Sequence, residues 1–108
     1  MIKVTILYPN SAGSTFDFDY YLNVHMPMSI ARLGQSMDAI AVERVISPGA
    51  PWPDPPFLAI CSFVCASRED FERAFFPHME ELQADTANYT NSQQIVLISE
   101  LEINIALD

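Results

Sequence analysis

The stretch from Phe57 to Ala66, Phe-Leu-Ala-Ile-Cys-Ser-Phe-Val-Cys-Ala, constrains the fold more than any other part of the chain. Side chains alternate across a strand. A strand here puts Phe57, Ala59, Cys61 and Phe63 on one side and Leu58, Ile60 and Val64 on the other. Both sides are apolar. In the first strand, Ile2, Val4, Ile6 and Tyr8 alternate with Lys3, Thr5 and Leu7. A sheet with one solvated face should turn polar on that face. These strands instead ask for cover on both sides. Helices can supply one cover, and a second copy of the chain is the commonest source of the other.

The rest of the chain supplies the helices. Asp17 or Thr15 can cap a helix running from about Asp17 to Leu33, since either offers a side-chain oxygen to free backbone N–H groups. Phe18, Tyr21, Leu22, His25, Ser29, Arg32 and Leu33 recur there at three- and four-residue spacing. Gly34 is a natural stop. Pro27 lacks the N–H that would bond the Asn23 carbonyl, which predicts a kink around His25. Met37–Ser47 reads as the second strand, and Phe57–Ala66 as the third. Between them, five prolines in residues 48–56 exclude regular structure, with Trp52 the expected anchor of that loop or the roof of a pocket. Ser67 and Asp70 resemble a capping box ahead of a second helix bearing Phe71, Phe75, His78, Met79 and Leu82, interrupted by Pro77. A polar loop, Asp85–Asn91, leads into a last strand, Gln94–Ile105.

The order is thus β-α-β-β-α-β. It predicts one α+β domain over residues 1–108, a ferredoxin-like fold with a four-stranded antiparallel sheet and two helices on one face. The length suits a single domain. A net charge of -9 repels phosphate backbones and anionic headgroups, so neither nucleic acid nor membrane is an expected partner. Cys61 and Cys65, four residues apart on one strand, would lie roughly 13 Å apart, too far to bridge. Unpaired thiols and an N-terminus unlike a signal peptide predict a cytoplasmic location.

Phe16-Asp-Phe-Asp-Tyr-Tyr-Leu-Asn-Val-His-Met-Pro-Met28 resembles the F-D-x-x-Y-Y-x-x-x-H-x-P signature of the EthD family. Asp85-Thr-Ala-Asn-Tyr-Thr90 resembles the D-x-x-N-Y-T segment of one EthD branch, which includes small proteins of prodigiosin-type pigment pathways. The chain departs from that branch at Thr86-Ala87, where Ile-Pro is frequent. The resemblance implies a dimeric α+β barrel. It also implies kinship with lactone isomerases and cofactor-free monooxygenases, and with tailoring or degradation proteins of unclear activity. The motif histidine carries over to His25, the aromatic positions to Tyr20 and Tyr21, and the loop polar groups to Asn88 and Tyr89.

His25 is the foremost candidate for chemistry, because imidazole can take or give a proton near neutrality. It can equally cap or pack within its own helix. Tyr8 and Tyr21 can orient a polar ligand group or serve as core aromatics. Asn88 and Tyr89 can close a pocket or shape a turn. His78, Cys61 and Cys65 read as structural. No HExxH, CxxC, P-loop or GxGxxG pattern is present, so no metal and no organic cofactor is expected. Two readings remain open. One is a cofactor-free enzyme acting on an aromatic or polyketide-like intermediate, with His25 moving a proton and Tyr21 and Asn88 orienting the substrate. The other is a non-catalytic carrier using the same pocket. A ligand-free interaction domain is a weaker third.

Overall fold

The computed structural model describes residues 1–107. Four strands, β1 (Ile2–Pro9), β2 (Ala39–Arg44), β3 (Phe57–Cys65) and β4 (Ile95–Glu100), form one sheet in the order β2-β3-β1-β4. Every neighbouring pair is antiparallel. The most apolar strands, β1 and β3, therefore take the centre. Val4 opposes Phe63 on one side and Ile98 on the other, and Ile6 opposes Cys61 and Val96. These residues share the face that packs on the helices. Ile2, Val4, Tyr8, Ala59, Cys61, Phe63 and Cys65 join Tyr21, Met26, Leu33, Phe71 and Leu82 in a single core. Among the described residues no helix is long and apolar enough to cross a membrane.

The opposite face carries Leu7, Ile60 and Val64, which are half-buried, and Leu97, which is exposed. This is the two-sided apolar character read from the sequence. Cys61 and Cys65 are both buried free thiols on β3.

The first helical segment, residues 18–33, is not α-helical throughout. It begins with a single turn, Phe18–Tyr20, capped by Asp17, whose Oδ1 accepts from the Tyr20 N–H at 3.0 Å. It then widens into a π-helical turn, Tyr21–His25, before resuming as an α-helix at Met26–Leu33. The Met26 N–H reaches back five residues to the Tyr21 carbonyl. Pro27 has no N–H to offer Asn23, and the turn before it takes an extra residue.

The second helical segment, residues 68–84, starts at Ser67, whose Oγ accepts from the Asp70 N–H at 3.1 Å. Asp70 does not complete a reciprocal box. Its carboxylate accepts from Arg73 at 3.1 Å instead. Pro77 sits in a 3₁₀ turn, Phe76–His78, that divides this segment. Arg32 and Glu81 tie the two segments together at 3.1 Å.

Two strands are shorter than expected. β4 stops at Glu100, which faces Ile2, and Leu101 makes one further bond, to the Met1 carbonyl. Residues 101–105, expected in the last strand, lie outside β4. β2 runs from Ala39 opposite Val64 to Arg44 opposite Ala59, shorter than the expected Met37–Ser47, with single backbone bonds beyond its ends from Asp38 to the Val64 carbonyl and from Val45 to the Leu58 carbonyl. Trp52 anchors nothing. It is 66% exposed, and backbone bonds such as Asn10 N–H to the Pro56 carbonyl hold the loop's end instead.

Candidate functional site

Two segments far apart in sequence build the polar part of the site. The loop after the second helix contains a 3₁₀ turn, Thr86–Asn88. It is tied to the segment preceding the first helix. The Asp17 N–H donates to the Tyr89 carbonyl at 2.7 Å, the Thr90 hydroxyl to the Thr15 carbonyl at 2.7 Å, and the Thr15 N–H to Asn91 Oδ1 at 2.8 Å. This closure brings Asp85 beside His25.

Asp85 is the hub. His25 Nδ1 lies 2.9 Å from its Oδ2. The Tyr20 hydroxyl donates to its Oδ1 at 2.6 Å, and Asn88 Nδ2 donates to the same oxygen at 2.9 Å. Burial acts to raise the Asp85 carboxyl, but hydrogen bonds from Tyr20, Asn88 and His25 outweigh it and leave it below its ordinary value of 3.8. The carboxylate is ionised at neutral pH and can only accept, so Nδ1 of His25 carries the proton. The neutral ring then has its lone pair on Nε2. This is the arrangement in which a carboxylate fixes the tautomer and steadies an imidazolium. The bond to Asp85 in turn raises the Tyr20 hydroxyl above its usual range.

An aromatic cluster encloses the ring. His25 stacks on Tyr21 at 5.4 Å between centroids and 13° between planes, and lies 4.6 Å from the Tyr89 ring. Tyr8 meets Phe16, Tyr21 and Tyr89 edge to face at 5.1, 5.8 and 5.8 Å. The hydroxyl oxygens of Tyr8 and Tyr89 are 2.8 Å apart and share a hydrogen bond. Burial pushes the hydroxyls of Tyr8, Tyr21 and Tyr89 up, so they remain protonated at neutral pH. Burial likewise pushes the Cys61 thiol up to about 11, which leaves it a poor nucleophile.

Beside this cluster, between helices and sheet, lies a cavity of about 110 Å³. Val4, Ile6 and Phe63 wall it from the sheet, and Leu33, Phe71 and Phe75 from the helices. Its polar contributors are Ser29, Gln83 and Gln94. Ser29 is one turn beyond His25. Gln94 Nε2 donates to the Thr86 hydroxyl oxygen at 3.1 Å and to the Tyr89 hydroxyl oxygen at 3.4 Å. The departure from the branch pattern at Thr86 thus supplies a hydroxyl that holds Gln94.

The structure brings four of the five sequence-selected residues together in one packed cluster: His25, Tyr8, Tyr21 and Tyr89. Asn88 joins them through Asp85. None of the five lines the apolar cavity. Sequence reasoning passed over Asp85 as a functional residue, although a carboxylate three residues before Asn88 in a polar loop is a turn-forming pattern. It also passed over Gln94. The signal was available, because Gln94 is in phase with Val96 and Ile98 and so is a polar residue on an apolar face. No cluster of three metal-ligating side chains occurs among the described residues.

The EthD domain family model matches residues 13–93. An EthD-like protein from Ralstonia eutropha JMP134 has a solved structure that is 39% identical, with a TM-score of 0.87, covering 97% of this chain and 95% of that one. An ethyl tert-butyl ether D (EthD) family protein from Bacillus halodurans C-125 is 21% identical at a TM-score of 0.71, over 94% of this chain and 98% of that one. HapK from Hahella chejuensis, 14% identical at a TM-score of 0.56 over 98% and 99% of the two chains, shares the fold. No curated protein sequence matches. The ferredoxin-like sheet with its two helical segments, the matched span and the 39% identical relative place this chain in the EthD domain family.

Proposed function

We propose that this protein binds a small apolar or aromatic metabolic intermediate in the cavity between helices and sheet, and that His25 moves a proton on it without a metal or organic cofactor. The observation that carries this reading is the His25–Asp85 pair, at 2.9 Å, held by Tyr20 and Asn88 and adjacent along the helix to Ser29 on the cavity wall. Asp85 keeps the Nδ1 proton in place, and Nε2 takes a proton from one substrate position and returns it to another. An isomerisation of this kind balances with no other reactant. About 110 Å³ is roughly the room for one small ring, so a polyketide-like substrate would place a single ring inside. A homodimer formed through the open sheet face belongs to the same reading. It is supported by half-buried Leu7, Ile60 and Val64 and by exposed Leu97.

The experiment is His25→Ala measured on a turned-over substrate. Loss of general-base catalysis lowers turnover by roughly 10²-fold or more. Unchanged turnover rejects the role. One observation favours the carrier reading instead: His25 does not line the cavity. A carrier would show ligand binding that His25→Ala alters only modestly, with no rate to lose.

A further inference from the structure

We infer that the ligand of this cavity carries a hydrogen-bond donor, an O–H or N–H, and gives it to the side-chain carbonyl oxygen of Gln94. The inference rests on the reading of the cavity as the ligand site and sharpens what that ligand must be.

Gln94 is the polar side chain at the head of β4, in phase with Val96, and both line the cavity. A glutamine amide has two N–H donors and one carbonyl acceptor. Both donor directions are taken, by the Thr86 hydroxyl oxygen at 3.1 Å and the Tyr89 hydroxyl oxygen at 3.4 Å. These partners are fixed. Thr86 begins a 3₁₀ turn, and the Tyr89 hydroxyl is itself held by Tyr8 at 2.8 Å. What Gln94 has left to offer is its carbonyl oxygen. Of the other two polar lining residues, Gln83 is exposed and Ser29, at 3% exposure, is buried on the inner wall. A serine within a helix commonly turns its proton toward the carbonyl one turn back, which leaves it also presenting a lone pair. The inner wall therefore offers acceptors.

A polar atom in an apolar enclosure costs free energy unless it is paired. A phenol, enol or small alcohol satisfies Gln94. A ketone or ether sets a second acceptor against it, and a plain hydrocarbon leaves it unpaired. The chemical class is thus a compact apolar body, one ring or its equivalent, bearing a hydroxyl or N–H at one end.

The test is calorimetric or NMR titration of the full chain at pH 8 with three single-ring probes: phenol as donor, toluene with neither function, and pyridine as acceptor only. Phenol is expected to bind at least as tightly as toluene. Gln94→Met, similar in size but without the carbonyl, should lose phenol affinity by about tenfold while toluene changes less than twofold. Gln94→Glu keeps an acceptor oxygen and should keep phenol, and Ser29→Ala should cost less than Gln94→Met. If Gln94→Met does not fold, Thr86→Val decides. It frees an amide hydrogen of Gln94 and should shift preference severalfold from phenol toward pyridine. Phenol no tighter than pyridine in wild type, equal losses of phenol and toluene in Gln94→Met, or an unchanged ratio in Thr86→Val overturns the inference while leaving the cavity as a binding site. Failure of all three probes removes the cavity as the ligand site, and the functional reading with it.

Discussion

The interface between helices and sheet has two ends built on opposite principles. Around Tyr8, rings from Phe16, Tyr21, His25 and Tyr89 fill the space with centroid separations of 4.6 to 5.8 Å, and the hydroxyls and carboxylate bond one another. Around Val4 and Ile6 the same sheet faces aliphatic and phenyl side chains that leave about 110 Å³ unfilled. The filled end holds His25 with its hydrogen bonds. The unfilled end holds the cavity. The contacts that fix the histidine take up none of the cavity's space. Gln94, which touches Tyr89 at one end and lines the cavity at the other, is the link between them.

If the two ends differ in packing, truncation should cost different amounts. Tyr21→Ala, at the filled end where Tyr21 is fully buried, is expected to destabilise by about 3–5 kcal/mol. Phe75→Ala, half-buried at a cavity that already lacks contacts, should cost less, about 1–2 kcal/mol. Urea denaturation midpoints at unchanged slope measure both, and equal losses would break the distinction.

The next effect sharpens the role of the hub. Asp85→Asn removes the charge that accepts from three donors and should cost about 1–3 kcal/mol near neutrality. The pH dependence has a definite sign. Because Asp85 titrates in the folded state below its ordinary value of 3.8, its contribution is present above that value and is lost as pH falls through the folded one. The gap between wild type and Asp85→Asn should therefore be widest above about pH 4 and narrow under acid. A gap that widens on acidification would contradict the hydrogen-bonded carboxylate.

The smallest effect concerns the bond linking Tyr8 to Tyr89. Tyr8→Phe and Tyr89→Phe should each cost about 1 kcal/mol, and a double-mutant cycle should return a coupling of the same order. A coupling near zero would mean that packing alone holds these rings.

Much of the filled end could be read from sequence. The spacing of Tyr21 and His25 put them on one helical face, and they stack there. Tyr8 was placed by its alternation with Ile6 and Val4. Helix starts at Asp17 and Ser67 followed from capping chemistry. The partner of His25 was not legible, because Asp85 is 60 residues away and reaches it only through the closure of the Asp85–Asn91 loop on residues 13–17. Local periodicity carries no information about such a pairing. The cavity was not legible for a related reason. A void is set by how completely side chains from five separate elements meet, and each of those elements looks like ordinary core in isolation. The π-helical turn was half visible. Pro27 announced a disruption, but whether a helix bends or admits an extra residue depends on what its two faces must contact.

That extra residue has a consequence for which changes the chain can accept. The turn before the π-turn carries Tyr20 to Asp85, and the residues after it carry Ser29 and Leu33 to the cavity. The turn sets the rotational phase between the two halves. Leu22, Asn23 and Val24 are exposed within it, so their side chains can vary at little cost. Removing one of them would close the wide turn into an α-turn of one residue fewer that covers nearly the same arc, so Tyr20 would keep its place beside Asp85 and Ser29 its place on the cavity wall. At these three positions the fold is tied neither to the side chains nor to the extra residue itself.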